Sequence, residues 1–108
     1  IYAISNALID TPWPKTIAVK SKLQEEISNK NISVDHLLQI LNNHEKYPSD
    51  QLPNTGVGIE MEKVLSPICI QTPIYGTRVN TVFLKENTGT AQVVERDVLK
   101  GSVQVFDL

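Results

Sequence analysis

The segment Asp10-Thr11-Pro12-Trp13-Pro14 constrains the fold of this chain more than any other part of its sequence. Each proline lacks a backbone donor and favours an extended conformation in the residue before it, so no helix or strand can run through the segment. The apolar residues 1–5 that precede it predict a short buried strand. Pro14 suits the first position of a helix, which is predicted to continue to about Asn29. The predicted apolar stripe of that helix consists of Ile17, Leu23 and Ile27.

The rest of the chain predicts a second helix and then β structure. Ser33 is a typical N-cap, and the apolar spacing i, i+3, i+4, i+7 after it predicts an amphipathic helix. A polar loop over residues 45–58 leads to a short helical turn, Ile59–Leu65. Strands are predicted at 68–70, 81–85, 91–96 and 102–106, with residues 86–90 as a glycine-containing hairpin turn. The predicted buried side of the second helix consists of Val34, Leu37, Leu38 and Leu41.

This order of elements predicts an α+β fold in which helices cover one face of a mostly antiparallel sheet. The two longer helices cover only one side, so the sheet would keep uncovered edges and an uncovered face. We therefore expect residues 1–108 to form a single unit that needs further material. The predicted partner is another part of the same protein or a second copy of it.

Composition argues against several classes of function. A net charge of -2 over 108 residues gives no attractive field for nucleic acid or an anionic membrane, so no nucleic-acid partner is predicted. No stretch approaches the roughly 18 apolar residues of a membrane span. The single Cys69 rules out an internal disulfide and fits a reducing compartment, so we predict a cytoplasmic location and an inert core cysteine. His36 and His44 lack a nearby cluster of Cys or acidic ligands, and we predict neither a metal site nor a cofactor.

The run Leu52-Pro53-Asn54-Thr55-Gly56 matches the LPxTG cell-wall sorting signal. In that use an apolar run of membrane length and a basic tail follow the motif, whereas mixed polar sequence and predicted strands follow it here. A turn that leads into the next helix is therefore the better interpretation.

Asn6 directly follows the predicted first strand and precedes the Pro-Trp-Pro segment. A side-chain amide at a strand end can point into a cleft and donate to a developing oxyanion. A structural asparagine that satisfies loop backbone groups is the commoner case, and position alone favours it.

The corner Tyr75-Gly76-Thr77-Arg78 lies before the hairpin. Gly76 permits a positive φ or a close backbone approach, and the planar guanidinium of Arg78 suits a carboxylate or phosphate. The structural alternative for Arg78 is an ion pair with an acidic residue such as Asp10 or Glu95. Trp13 is either a core anchor or the wall of a cleft.

Taken together, these segments resemble those of the NRDE protein family, which is related to the transport and Golgi organisation proteins of eukaryotes. Ser5–Lys15 resembles the family segment SNALLDTPWPK, and Leu52–Val57 resembles LPDTGV. Glu62–Ile68 is similar to ERLLSPIFI, and Tyr75–Arg78 to YGTR. Glu95-Arg96 matches the ER that ends the following hairpin, so the matches run in order from about residue 2 to residue 97. Any one of these matches alone would be weak.

The resemblance implies the architecture of the N-terminal-nucleophile hydrolases, an αββα sandwich in which a processed terminal cysteine attacks an amide. Members open with Met-Cys and carry an Asn-Arg-Asp-Glu motif in an N-terminal half, and neither occurs here. We therefore expect this chain to be the C-terminal portion of a larger domain, a partial sandwich without the nucleophile and inactive by itself. Whether the intact protein is an enzyme stays open at this point.

The resemblance also implies roles for individual residues. In related cysteine hydrolases a "TN" after a strand supplies an oxyanion-hole asparagine, and Ser5-Asn6 resembles it. Asn6 is therefore predicted as the oxyanion donor, and Arg78, Trp13 and Tyr75 as substrate-binding residues. The alternative is a non-enzymatic carrier or trafficking protein for a small ligand, because eukaryotic relatives have been linked to haem handling and lipid metabolism.

Overall fold

A computed structural model describes residues 1–30 and 32–108, which form three α-helices, one turn of 3-10 helix and a three-stranded antiparallel sheet. The α+β class is therefore confirmed. The helices are α1 Pro14–Ser28, α2 Val34–Leu41 and α3 Ile59–Val64, and the 3-10 turn is Ser49–Gln51. The strands are β1 Val79–Lys85, β2 Ala91–Asp97 and β3 Val103–Asp107, which lie in the order β1-β2-β3.

Both longer helices begin where the sequence predicts. Trp13 is the extended N-cap of α1 and Pro14 occupies its first turn, where the missing proline N–H costs no hydrogen bond. The Ser33 hydroxyl accepts the backbone N–H of His36 at 3.2 Å and so caps α2. Local chemistry therefore fixes both helix starts.

The core lies between α2 and one face of the sheet. Leu38 of α2 is buried against Val82 and Val94, which are direct neighbours across β1 and β2. The other apolar residues predicted for α2 pack around this centre, which confirms the predicted stripe; the packed set is Val34, Leu37, Leu41 and Leu84. Helix α1 packs on α2 rather than on the sheet, so the helices lie on one side.

The opposite face of the sheet carries an exposed apolar row. Phe83 of β1 is the register partner of Val93, and Val93 is the partner of Phe106 in β3. Both phenylalanines are exposed, and no element in the described part of the chain covers them. The structure therefore has the uncovered face that the sequence predicts.

The predicted strand at residues 1–5 is wrong for the described chain, because this segment has no regular structure. The N–H of Ala3 donates to Asp10 Oδ1 at 2.8 Å and its carbonyl accepts the N–H of Asp10 at 2.7 Å. Both backbone groups of Ala3 thus close a loop instead of joining a ladder. Tyr2 and Ile4 stay exposed.

The predicted strand at residues 68–70 is also wrong, since these residues form bends. The N–H of Cys69 donates to the carbonyl of Asn43 at 2.8 Å, and the N–H of Ile70 donates to Thr77 Oγ1 at 2.9 Å. These donors bond to a loop and a side chain, and the β-type pairing nearby is limited to one isolated antiparallel bridge between Gln71 and Gly76.

The apolar stripe predicted for α1 is only partly correct. Ile17 and Ile27 are exposed, whereas Thr16 is buried and Val19 and Leu23 are half-buried. The Thr16 hydroxyl donates to the carbonyl of Thr11 at 2.7 Å and to that of Trp13 at 2.8 Å, which lets a polar residue lie inside. None of the helices in residues 1–30 and 32–108 combines the length and apolar character of a membrane span.

Candidate functional site

Three of the four predicted site residues line one cavity of about 280 Å³. Asn6 comes from the N-terminal loop, Trp13 from the start of α1, and Tyr75 from the loop before β1. The fold therefore brings together side chains that are far apart in sequence. We call this cavity the cleft; its other lining residues include Lys15, Leu52, Pro53, Thr55, Glu62, Leu65, Ser66 and Ile70.

Asp10 shapes the loop that presents Asn6. Its carboxylate accepts the N–H of Ala3 and forms an ion pair with Lys20 Nζ at 3.1 Å, and its own φ is 59°. The Ala3 hydrogen bond first, and then the Lys20 contact, lower the pKa of Asp10 below its ordinary value. The loop is thereby closed at its base. Asn6 is exposed, and its side chain makes no hydrogen bond to any described residue, so the amide is free to donate to a ligand.

A tight turn presents Tyr75 at the opposite wall. The Thr72 hydroxyl accepts the N–H of Tyr75 at 2.9 Å, and the Thr72 N–H donates to the Tyr75 carbonyl at 2.9 Å. Gly76 follows and does not have a positive φ. Of the two predicted reasons for a glycine at this position, the close backbone approach is therefore the one that applies. A Cβ at Gly76 would lie 2.7 Å from the carbonyl oxygen of Ile70. Only glycine fits this contact without displacing backbone.

Two charged residues of the cleft were missed from the sequence. Glu62 of α3 is buried, and its Oε1 accepts both the N–H of Thr55 at 2.7 Å and the Thr55 hydroxyl. Lys15 Nζ donates to the carbonyl of Leu65 at 2.6 Å, and burial lowers the pKa of Lys15. A signal for Lys15 was present, because a cation in the first turn of a helix opposes the helix dipole. Glu62 carried no such signal, since acidic residues are common in a first helical turn.

Arg78 lies apart from the other three predicted residues. It lines a neighbouring cavity of about 340 Å³ together with Tyr75 and Leu99, so Tyr75 borders both spaces. The ion pairs found in the described chain are Lys20–Asp10 and His36–Glu26, and neither includes Arg78. Asp97 is an acidic neighbour of Arg78: the backbone N–H of Lys100 lowers the pKa of Asp97 most, and the Arg78 charge adds a smaller lowering. Arg78 itself is exposed.

The remaining candidate groups have structural partners. Cys69 is fully buried at 0% exposure, which agrees with an inert core cysteine. His36 Nδ1 lies 2.9 Å from Glu26 Oε2, and His44 Nδ1 lies 3.1 Å from the carbonyl oxygen of Cys69. Among the residues that the structure places, no group of three His, Cys, Asp or Glu side chains is arranged to hold a metal ion.

The segment that matches the sorting signal forms an irregular loop. Gly56 and Gly58 both have positive φ, at 93° and 90°, and Gly58 is the N-cap of α3. The turn that leads into the next helix is therefore confirmed, and Leu52, Pro53 and Thr55 of this segment line the cleft.

The fold and the cleft define an α+β chain with a cavity of small-molecule size at the meeting point of three segments. The family model described as Transport and Golgi organisation 2 matches residues 1–100, and the chain belongs to this family. The predicted relation to the transport and Golgi organisation proteins is thus confirmed.

Vertebrate relatives show the same relation. The Transport and Golgi organization 2 homolog of Mus musculus is 33% identical over 110 residues. The Transport and Golgi organization protein 2 homologs of Homo sapiens and Bos taurus are each 32% identical, over 106 and 110 residues. Each alignment covers 91% of this chain, and the chain spans 38% of the length of each relative.

Proposed function

We propose that this chain supplies the ligand-binding cleft of a longer, N-terminal-nucleophile-type cysteine hydrolase that acts on amide bonds. The observation that carries the proposal is the free amide of Asn6 on the same cavity as Trp13 and Tyr75. The nucleophile is a cysteine at the start of the longer protein, as the resemblance to the NRDE family implies. Membership of the Transport and Golgi organisation 2 family is compatible with this relation.

In this proposal Asn6 acts on the charge that develops during attack. A thiolate adds to the amide carbonyl carbon, the carbonyl oxygen becomes an oxyanion, and the Asn6 Nδ2–H donates to it. The α-amino group of the same terminal cysteine, as general base, takes the thiol proton and gives it to the amine when the C–N bond breaks; water then hydrolyses the remaining thioester to the acid and the free thiol. Trp13 and Tyr75 contact the apolar part of the substrate, and Arg78 binds a substrate carboxylate in the neighbouring cavity.

The test compares Asn6→Ala with wild type in the full protein that carries this sequence, against a library of amide substrates. Loss of one oxyanion donor is expected to lower kcat by about 100- to 1000-fold with little change in KM. The matched control is Asn87→Ala, an exposed asparagine in the hairpin turn. If the activity of Asn6→Ala stays within a few-fold of wild type, Asn6 is not the oxyanion donor. A full protein that cleaves no amide would refute the hydrolase proposal.

A carrier of a small ligand is the second candidate. The observation that favours it is the lining of the cleft, which includes the aromatic side chains of Trp13 and Tyr75 and aliphatic side chains such as Leu52. Trp13 and Tyr75 would then hold a flat ligand and Arg78 an acidic group on it. Titration of the full protein with haem, followed by absorbance, tests this candidate. No spectral change at micromolar haem counts against it.

We further propose that the remainder of the longer protein covers the open face of the sheet around Phe83, Val93 and Phe106. The chain spans 38% of its relatives, so ample sequence exists to provide this cover. A glutamate at Phe83 would place a charge against that cover, and Phe83→Glu should therefore destabilise the full monomeric protein. A wild-type dimer that Phe83→Glu converts to monomer would instead identify a second copy as the occupant.

The cytoplasmic location predicted from Cys69 stays a prediction, tested by imaging the tagged full protein.

A further inference from the structure

Lys15 is the only cation among the described residues that line the cleft. We propose that its ammonium group binds the anionic group, a carboxylate or a phosphate, of the ligand that occupies the cleft. The inference rests on the proposed function, because it names the class of ligand for the same cavity. It adds a second cation, Lys15 in the cleft, to Arg78, which lines the neighbouring cavity.

The ammonium of Lys15 is held in place with donors to spare. Its Nζ donates to the carbonyl oxygen of Leu65, at the C-terminal cap of α3, over 2.6 Å. A lysine has three N–H donors, and this contact uses one of them. The group is therefore positioned before any ligand arrives, which reduces the entropy that binding must overcome.

Within residues 1–30 and 32–108, no carboxylate forms an ion pair with Lys15. The carboxylate of the cleft, Glu62, already accepts two hydrogen bonds from Thr55, and the ion pairs found across residues 1–30 and 32–108 involve other cations. Lys15 therefore has no ion-pair partner in the cleft, and its two remaining N–H donors can meet an anion.

The position of Lys15 is costly without an anion. The side chain is half-buried, and burial of an unpaired charge is unfavourable. It also lies in the first turn of α1, where the helix dipole repels a cation. An anion bound at Nζ would offset both costs. The structural alternative is that the Lys15 ammonium only caps the C-terminal carbonyl of α3, where a cation is favoured, and the experiment below separates the two roles.

The experiment measures binding of three probes to the full protein by calorimetry: naphthoate, naphthyl phosphate and the uncharged naphthamide. The two anionic probes separate a carboxylate ligand from a phosphate ligand. Since a hydrogen bond to a charged group contributes more than a neutral one, at least one anion should bind about 10-fold more tightly than naphthamide. Lys15→Met should abolish that preference and Lys15→Arg should keep part of it. Lys85→Met, which removes an exposed lysine outside the cleft, should change nothing.

The inference is overturned if Lys15→Met keeps the preference within about two-fold, or if no anionic probe binds. Should the variant fail to fold, acetylation of the wild-type protein, followed residue by residue, gives the same answer. An anionic probe should slow acetylation of Lys15 several-fold relative to Lys85, and equal rates would refute the contact. The two proposals can fail separately. If anions are preferred through Lys15 but Asn6→Ala still cleaves amides, the Lys15 inference stands and the oxyanion role of Asn6 fails. If cleavage depends on Asn6 but no anion is preferred, the oxyanion role stands and the Lys15 inference fails.

Discussion

Gly76 is the position where one added methyl group tests the architecture of the cleft most directly. A Cβ there would lie 2.7 Å from the carbonyl oxygen of Ile70 and 3.5 Å from the Cα of Gln71. Ordinary C···O contacts are about 3.3 Å or longer, so the two backbone segments would have to separate by about 0.6 Å. The obstructing atoms are main chain, and no flexible side chain can move aside.

The loss of stability expected for Gly76→Ala follows from the contacts that this separation disrupts. The same Ile70 oxygen accepts the N–H of Thr77 at 2.8 Å, a hydrogen bond worth about 0.5–1.5 kcal/mol net. Overpacking of a tight contact adds about 1–3 kcal/mol. We therefore expect a loss of about 2–4 kcal/mol in the free energy of unfolding.

Urea unfolding of the full protein measures this loss, and naphthoate affinity reports on the cleft. Because Tyr75 precedes Gly76, the substitution should also weaken binding. Gly89→Ala is the control: its φ is 98° with no atom within 4 Å, so it carries backbone strain of about 1–2 kcal/mol and leaves the cleft unchanged. A Gly76→Ala protein within about 0.5 kcal/mol of wild type and with unchanged affinity would refute the close-approach argument.

Other substitutions test the core, the buried carboxylate and the N-terminal loop. Leu38→Ala should cost about 2–4 kcal/mol in urea unfolding, whereas the exposed Leu99→Ala should stay within about 0.5 kcal/mol; equal losses would contradict the assignment of the core. Glu62→Met should cost about 1–3 kcal/mol because it removes the oxygen that accepts two hydrogen bonds from Thr55, and the exposed Glu60→Met should stay within about 0.5 kcal/mol. Contacts to Ala3 and Lys20 hold the pKa of Asp10 below its ordinary 3.8, so its contribution to stability is present above pH 3.8 and is lost as pH falls through the lowered pKa. Asp10→Asn should therefore reduce the loss of unfolding free energy on the acid side of a stability–pH curve. An unchanged slope would argue against a stabilising role for the contacts of Asp10 with Ala3 and Lys20.

Local signals were enough to predict the helices and the hairpin. The Ser33 cap, the first-turn Pro14 and the spacing of apolar residues in α2 all act within a few positions of each other. The hairpin between β1 and β2 is likewise set by its turn, where Gly89 adopts a φ of 98°. Each of these features depends on short-range geometry, which a sequence expresses directly.

The cleft was less predictable because it depends on contacts between distant segments. Asn6, Trp13 and Tyr75 were each singled out for local reasons, yet only the fold places them on one cavity. Arg78 was predicted as a substrate-binding residue because its planar guanidinium suits a carboxylate or phosphate. The hydrogen bond from Lys15 to the Leu65 carbonyl places a cation in the cleft, whereas Arg78 lines the neighbouring cavity. Such a contact across the chain leaves no periodic signal in the sequence.

The failed strand at residues 1–5 shows why a strand pattern needs a partner to be realised. In extended chain the N–H and carbonyl of one residue point to the same side, and those of its neighbours point to the other. Ala3 directs both of its groups to Asp10, so that side is occupied by the loop that presents Asn6. The groups of Tyr2 and Ile4 therefore belong to the opposite side, and their side chains are exposed. An added strand could pair on that free side without breaking the contacts of Ala3 with Asp10. The apolar pattern and the irregular structure are then compatible, because these contacts and a ladder would use different residues of the same segment.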